Sequence, residues 1–429
     1  MAHDKVFKVN VLAGWTPDKK QVGSIFVESI RGSEVISFQY DKEWLLSNPN
    51  LLFDADVSPV MVRLYPSGGK KCFGFIGDAS PDRWGQMLIN RFDKENHKSG
   101  EPLRTLLDSD YLLRVYDRGR QGGFQFVSDD GYIYSSDKDQ MIPPITELRK
   151  LEDVVRKVEA GSNDQPKWLR ELVAPGSSLG GARPKANVVD VDGSMWIAKF
   201  PSKTDEYNVG AWEMVCHELM RLCGISVPAA RLVNLSSFGS TYLTKRFDRY
   251  LDTDGTETRR HFASAMNLLG RTDNDDVISS YLDIVGLAEK QCSVHIDAAL
   301  NELWRRLVFN VCVTNTDDHL RNHGFVLSDA NNWELSPAYD VNPNIDKIEH
   351  SLMLDFDSTE NSLYNVFQVR ELFRITEQQA RDSIKYIQQT VSDNWQAFAA
   401  KYGVKNEIKL FARCFSEADV VKDKSNMIF

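Results

Sequence analysis

The residues best equipped for chemistry form one run, Asn315-Thr316-Asp317-Asp318-His319-Leu320-Arg321-Asn322-His323-Gly324-Phe325, with Asp340 following in Ser336-Pro337-Ala338-Tyr339-Asp340. Carboxylates, imidazoles and an amide are gathered directly after an apolar, helix-like stretch, Leu303 to Val313. The step from Asp317 to Asn322 is the Asp-x-x-x-x-Asn interval of a phosphotransfer loop, in which the Asp accepts a substrate hydroxyl proton and the Asn holds Mg²⁺. Asp340, behind a short hairpin-like segment, could supply a second metal carboxylate. Such residues also cap helices and fill turns. A second chemistry, metal-assisted hydrolysis on an Asp317-Asp318-His319 cluster, uses the same side chains. The interval therefore needs further nucleotide-handling parts upstream.

Those parts are found in order. In Pro175-Gly176-Ser177-Ser178-Leu179-Gly180-Gly181-Ala182-Arg183-Pro184-Lys185, small residues let backbone N–H groups turn toward an anion, and Lys185 stands where the turn becomes a strand. The turn is neither a Walker A nor a GxGxxG loop, and a plain hairpin is the alternative. In the next strand, Met195-Trp196-Ile197-Ala198-Lys199-Phe200-Pro201, a single lysine interrupts an apolar run, as in a Val-Ala-Ile-Lys phosphate-gripping strand. A helix containing Glu213 and Glu218 follows. Either could pair with Lys199, although Glu218 reads better as part of a solvated face. Ser240 to Arg249 reads as a hinge strand where Phe247 could flank an adenine ring, or as a sheet edge rich in Lys and Arg. Beyond it the pattern is mostly helical: Phe262–Leu269, Val277–Leu282, Asp297–Val313, Gln378–Thr390 and Asp393–Tyr402. A mixed small lobe followed by a helical large lobe is the simplest architecture.

The first third reads as scaffold. Residues 5 to 40 alternate apolar and polar in short runs and predict a small antiparallel sheet. Phe73 to Ile89 predicts a turn into a helix capped by Asp78 or Ser80, with Pro81 in the first turn. Leu103 to Val115 predicts another helix, and Gly122-Gly123-Phe124-Gln125-Phe126 a turn into a strand. Pro143-Pro144, a helical stretch from Ile145 to Val158 and the breaker Gly161-Ser162-Asn163-Asp164-Gln165-Pro166 set a boundary near residue 165. The resulting segments are 1–165, 166–255 and 256–429. With 429 residues, 42% hydrophobic and 26% charged, the chain has material for a large core. A net charge of −10 argues against a protein that coats nucleic acid by its overall field. Six scattered cysteines without CxxC pairs predict buried free thiols in a reducing compartment. No apolar run approaches the ~18 residues of a membrane span. Together with a start lacking a signal-type apolar region, this predicts a cytoplasmic protein with no membrane partner.

The ordered set Ser178-Leu179-Gly180-Gly181-Ala182-Arg183-Pro184-Lys185, Ile197-Ala198-Lys199-Phe200-Pro201, Arg246-Phe247-Asp248-Arg249, Asn315 to Asn322 and Pro337-Ala338-Tyr339-Asp340 resembles the HipA family of serine/threonine kinase toxins. Gly77-Asp78-Ala79-Ser80-Pro81-Asp82-Arg83-Trp84-Gly85 and Gly122 to Phe126 are similar to that family's amino-terminal region, so the resemblance spans nearly the whole chain. It implies an α+β, two-lobed protein-kinase-like fold with an N-terminal α/β subdomain, using ATP and Mg²⁺. By motif, Asp317 would be the base, Asn322 and Asp340 the Mg²⁺ ligands and Lys199 the phosphate-gripping lysine. Gly180, Gly181 and Lys185 would form the nucleotide loop, with His319, Tyr339, Lys245 and Phe247 lining the same site. Ser178 matches the family's autophosphorylated serine, whose modification would eject the loop. The implied partners are a small helix-turn-helix antitoxin of the HipB kind, operator DNA through that antitoxin, and a protein substrate such as an aminoacyl-tRNA synthetase. Lys245 departs from the Glu expected near the adenine, and Arg183 and Pro184 alter the loop before Lys185. A catalytically silent co-repressor built on the same body is the alternative from another class.

Overall fold

In the computed structural model the chain divides into two compact units, one of residues 1–203 with 248–273 and one of residues 204–247 with 274–429. The structure describes residues 6–30, 33–96, 105–136, 142–161, 172, 181–273, 275, 277–328 and 332–419.

The first unit is founded on an antiparallel sheet of β1 (Val6–Ala13), β2 (Gln21–Ile30), β3 (Ser33–Tyr40) and β4 (Phe124–Val127), in the order β3-β2-β1-β4. Alternation in β1 sends Val9, Val11 and Ala13 inward. A knot of aromatic rings, Phe38, Phe53, Phe75 and Phe124, packs edge to face beside the sheet at centroid distances of 5.1–5.6 Å. Helices α1 (Arg83–Asn96), α2 (Asp108–Arg114) and α3 (Leu148–Glu159) follow, and then the hairpin β5 (Lys185–Val189) and β6 (Met195–Lys199).

The returning segment 248–273 is stitched into this unit by buried polar contacts. Asp248 accepts the Gly122 N–H at 2.8 Å, and Arg249 donates to the Gly122 carbonyl at 2.9 Å. Gly122 has φ +75°, and a Cβ there would press on Phe262 backbone at 3.3 Å, so glycine is required. Asp78 accepts from both the N–H and the hydroxyl of Ser264, at 2.9 and 2.7 Å. The Gly122 turn and the Asp248-Arg249 half of the Arg246-Phe247-Asp248-Arg249 motif are thus held together structurally in this unit.

The second unit is mainly helical. Helix α4 (Val209–Leu222) starts at Asn208, whose side chain accepts the Ala211 N–H. The antiparallel pair β7 (Ala230–Val233) and β8 (Thr241–Lys245) follows. Helix α5 (Tyr281–Gln291) opens with a Ser280/Asp283 capping box. Helix α6 (Ile296–Cys312) is buried from Glu302 to Cys312 except at Arg305, which makes it the unit's central element. The hairpin β9 (Gly324–Leu327) and β10 (Trp333–Leu335) and the long helix α7 (Glu377–Lys401) complete the frame. Trp395 stacks on Phe415 and Trp212 on Phe411, at 4.3 and 3.9 Å. Among the described residues, no helix is long and apolar enough to cross a membrane.

Several elements differ from the sequence reading. The cap of α1 is Asp82, whose Oδ1 accepts the Gly85 N–H at 2.7 Å, because Asp78 is drawn away to Ser264. Phe262–Ser264 is a short strand and only Ala265–Leu268 is helical. Residues 277–280 are not helical, with Ser280 extended and bridged to Met353, so the helix starts at Tyr281. The two helices expected from Gln378 to Tyr402 are one, since Val391, Ser392 and Trp395 continue its buried stripe. All six cysteines are free thiols, and all but Cys72 are buried.

Candidate functional site

Helix α6 delivers the polar loop through a strained residue. Thr314 is β-branched yet lies at φ +52°, a conformation that such side chains resist. It is held from several sides: its hydroxyl donates to the Cys414 carbonyl at 2.8 Å, and its own carbonyl accepts the Asn344 N–H at 3.0 Å. Strain fixed in this way recurs at functional loops. Asn315 is buried next to it, donating to Asn310 Oδ1 at 3.2 Å and accepting the Asn342 N–H at 3.4 Å.

The two adjacent carboxylates then part. Asp318 is buried, and its Oδ2 accepts from the Tyr281 hydroxyl, from Asn310 Nδ2 at 3.0 Å and from His323 Nε2 at 2.8 Å. Burial works to raise its pKa, yet His323 and Tyr281 hold it below the ordinary carboxylate range. Burial and Asp318 together push the Tyr281 phenol far up. Asp317 points the other way and is exposed. The turn closes with the Asn322 N–H on the His319 carbonyl at 2.8 Å, and Asn322 is half-buried. His319 Nδ1 is buried with no hydrogen-bond partner among the described residues.

Asp340 is brought to this loop by its neighbours. The Tyr339 hydroxyl donates to the Arg321 carbonyl at 2.7 Å, and Asn342 and Asn344 bond to Asn315 and Thr314 as above. Asp340 is half-buried and takes φ +59°, a second left-handed non-glycine residue within the same constellation. Phe247 packs on Tyr339 at 5.6 Å with a 33° tilt. Tyr242 in β8 is buried, and burial, Glu213 and Asp340 all raise its pKa, so both carboxylates bear on one phenol. Lys245, half-buried at the end of β8, donates its N–H to the Ala229 carbonyl at 2.8 Å. Glu218 pairs with Arg221 at 3.0 Å and accepts from the Tyr402 hydroxyl, in keeping with a helix-face role.

In the first unit, Lys185 and Lys199 are direct partners across the β5–β6 hairpin. Lys185 is buried with its amine 3.2 Å from Asp82 Oδ2, and its carbonyl accepts from Trp84 Nε1 at 3.0 Å. Burial pushes the Asp82 carboxyl up to about 6 against the pull of Lys185. Gly181 is exposed at φ +105°. Ser178 and Gly180 lie outside the described residues.

Asp317, His319, Asn322, Tyr339, Asp340 and Phe247 therefore gather in the second unit, while Gly181, Lys185 and Lys199 belong to the first. Sequence reasoning missed Asp82 and Trp84 as partners of Lys185, although the Pro81-Asp82-Arg83-Trp84 run was visible, and missed the anchoring of Asp318 by His323, Tyr281 and Asn310.

Comparison with known proteins gives three findings. The profile of the HipA-like C-terminal domain matches residues 177–395. The curated protein named "Putative kinase Y4dM", from Sinorhizobium fredii, is 30% identical over 182 residues, covering 39% of this chain and 42% of that protein. The match thus spans about two fifths of the relative's length. A chain of the Shewanella oneidensis MR-1 toxin–antitoxin complex of HipA, HipB and operator DNA superposes with a TM-score of 0.68 at 16% identity, covering 96% of this chain and 97% of that one. At that identity the likeness is one of fold, and the fold is the α+β, two-lobed kinase-like one. With a match to the HipA-like C-terminal domain over just more than half its length, the chain belongs to the HipA-like family.

Proposed function

We propose that the protein is an ATP- and Mg²⁺-dependent protein serine/threonine kinase, the toxin of a toxin–antitoxin pair. The observation that carries this reading is the fastening of the Asp340 segment to the Asp317–Asn322 loop through Tyr339, Asn342 and Asn344. It joins a solvent-facing carboxylate to two half-buried oxygen donors. Asn322 and Asp340 fit Mg²⁺, a hard cation that takes few protein oxygens and completes its shell with water and phosphate. When bound, the metal would offset charge on the transferring phosphoryl group.

In this reading Asp317 orients the substrate hydroxyl and accepts its proton. Lys199 grips phosphates, with Gly180, Gly181 and Lys185 as the nucleotide loop. Phe247, Tyr339, His319 and Lys245 line the nucleotide site, where the unpartnered His319 Nδ1 offers a polar contact. The hydrolase alternative loses a ligand, because the Asp318 carboxylate is committed to Tyr281, Asn310 and His323. Residues 1–165 would serve as the HipA-type N-terminal subdomain, 166–255 as the nucleotide lobe and 256–429 as the catalytic lobe.

The partner we propose is a small helix-turn-helix antitoxin that brings the protein to operator DNA, by analogy with the Shewanella complex, in which HipA occurs together with HipB and operator DNA. The substrate we propose is a cytoplasmic protein, with an aminoacyl-tRNA synthetase the first to try, and Ser178 is the expected site of self-modification. Intact-mass measurement after incubation with ATP and Mg²⁺ tests the reading. The wild type should gain one phosphate on Ser178, and Asp317→Asn should fold normally yet lose phosphotransfer by about 100-fold or more. Phosphate incorporation by Asp317→Asn at the wild-type level would remove Asp317 from its role. A wild type that binds ATP without transferring phosphate would point to the silent co-repressor.

A further inference from the structure

The β5–β6 hairpin sets Lys185 directly opposite Lys199. Residues opposite one another in an antiparallel pair project to the same face, and like charges so placed repel. Two lysines held in that register make sense where an anion is to be met. Lys185 is not left to find its place: its side chain is 3% exposed and its amine lies 3.2 Å from an Asp82 carboxylate that is 8% exposed. Asp82 is fixed in turn at the start of α1, where its other oxygen accepts the Gly85 N–H at 2.7 Å. Just beyond it, Trp84 Nε1 donates to the Lys185 carbonyl at 3.0 Å. The first turn of α1 therefore holds both the head and the backbone of Lys185. A Cβ added at Gly181 would fall 2.8 Å from the Lys185 amine, so the amine lies directly against that glycine.

A buried ion pair is a poor device for stability alone, since desolvation offsets much of its attraction and well-packed apolar side chains serve as well. What it does well is fix a charge in one place. We propose that Asp82 is a positioning residue for nucleotide binding: it holds the Lys185 amine against Gly181, so that Lys185 and Lys199 offer two cations from one face of the hairpin to the phosphates of a nucleoside triphosphate. This rests on the nucleotide reading above and adds to it a residue from the amino-terminal scaffold. Asp82 touches no substrate in this scheme and acts through Lys185.

The test uses the full chain in an Asp317→Asn background, so that no phosphate is turned over, and titrates ATP–Mg²⁺ and AMP by calorimetry. Asp82→Asn should weaken ATP by about tenfold, the worth of one charge-assisted contact, and leave AMP within about twofold, since a misplaced phosphate cation is felt mainly by the outer phosphates. Asp82→Glu should recover most of the ATP affinity. Equal ATP affinity with and without Asp82→Asn would overturn the proposal, and so would equal losses for ATP and AMP, the mark of general loosening. Should Asp82→Asn fail to fold, Asp82→Asn/Lys185→Met leaves no unpaired buried charge; it should show the same ATP loss with AMP retained, and unchanged ATP affinity there is equally fatal. If the Asp317→Asn parent binds no ATP, the nucleotide reading falls and takes this proposal with it, an outcome distinct from all the others.

Discussion

Asp317 and Asp318 are neighbours of the same chemical type, and no spacing rule says which of them faces water. The Asp-x-x-x-x-Asn interval singled out Asp317 and Asn322. Only the fold reveals that Asp318 is buried under Tyr281, Asn310 and His323. These partners are 37, 8 and 5 positions away, and such convergence is invisible in a linear string. Removing this carboxylate takes an acceptor from three buried polar groups, of which Asn310 Nδ2 and the Tyr281 hydroxyl keep only their bond to each other, so Asp318→Ala should lower the unfolding free energy by about 3 kcal/mol in urea titration at pH 7. The pH dependence has a definite sign. Because the folded pKa of Asp318 is depressed, its contribution is present above the ordinary carboxylate range and is lost as pH falls through the folded value. The gap between wild type and Asp318→Ala should therefore narrow in acid. Asp340 and Thr314 teach the same lesson for backbone: their left-handed conformations leave no trace in residue type, since Thr is among the last residues one would place there.

At the scale of elements, the long and regular ones were legible. The alternation of residues 5–40 becomes three strands, and the apolar run before the polar loop becomes α6, shifted by one residue. Short elements failed where a tertiary contact outweighed local pattern. Phe262–Ser264 is extended because its neighbourhood is set by Gly122, His261 and Asp78, none of which a helical reading of Phe262–Leu269 takes into account. His261 sits in that corner, stacked on Trp15 at 4.8 Å and against Phe124 at 4.2 Å. Burial drives its pKa down to about 3 from 6.5. A depressed folded pKa means stability that is whole above 6.5 and is lost as protons bind the unfolded chain at lower pH. Between pH 6.5 and pH 5 this one side chain should cost about 2 kcal/mol. Thermal or urea unfolding across that range should show a shallower decline for His261→Phe than for the wild type. Equal slopes would mean that the ring is not held neutral.

For the whole molecule, the sequence pointed to three consecutive segments, whereas packing groups the chain into two units that each use separate stretches. Composition shifts and glycine breaks mark where a chain turns, and they carry no information about which later segment returns to an earlier one. The return of residues 248–273 supplies partners to buried polar groups of the first unit. Asp248 and Arg249 satisfy Gly122, Ser264 satisfies Asp78, and Asn267 Nδ2 meets the Phe53 carbonyl at 2.9 Å. A fragment of residues 1–203 should therefore lack cooperative melting and near-ultraviolet dichroism, despite containing the complete four-stranded sheet. A sharp thermal transition in that fragment would contradict this account. The same return has a consequence for biosynthesis. The first unit has to wait for residue 273 to clear the ribosome, and at about 5–20 residues per second the seventy residues after Lys203 take several seconds to arrive. During that interval the nascent chain carries an unfinished aromatic core, an opening for chaperones that a chain with strictly consecutive domains would close sooner.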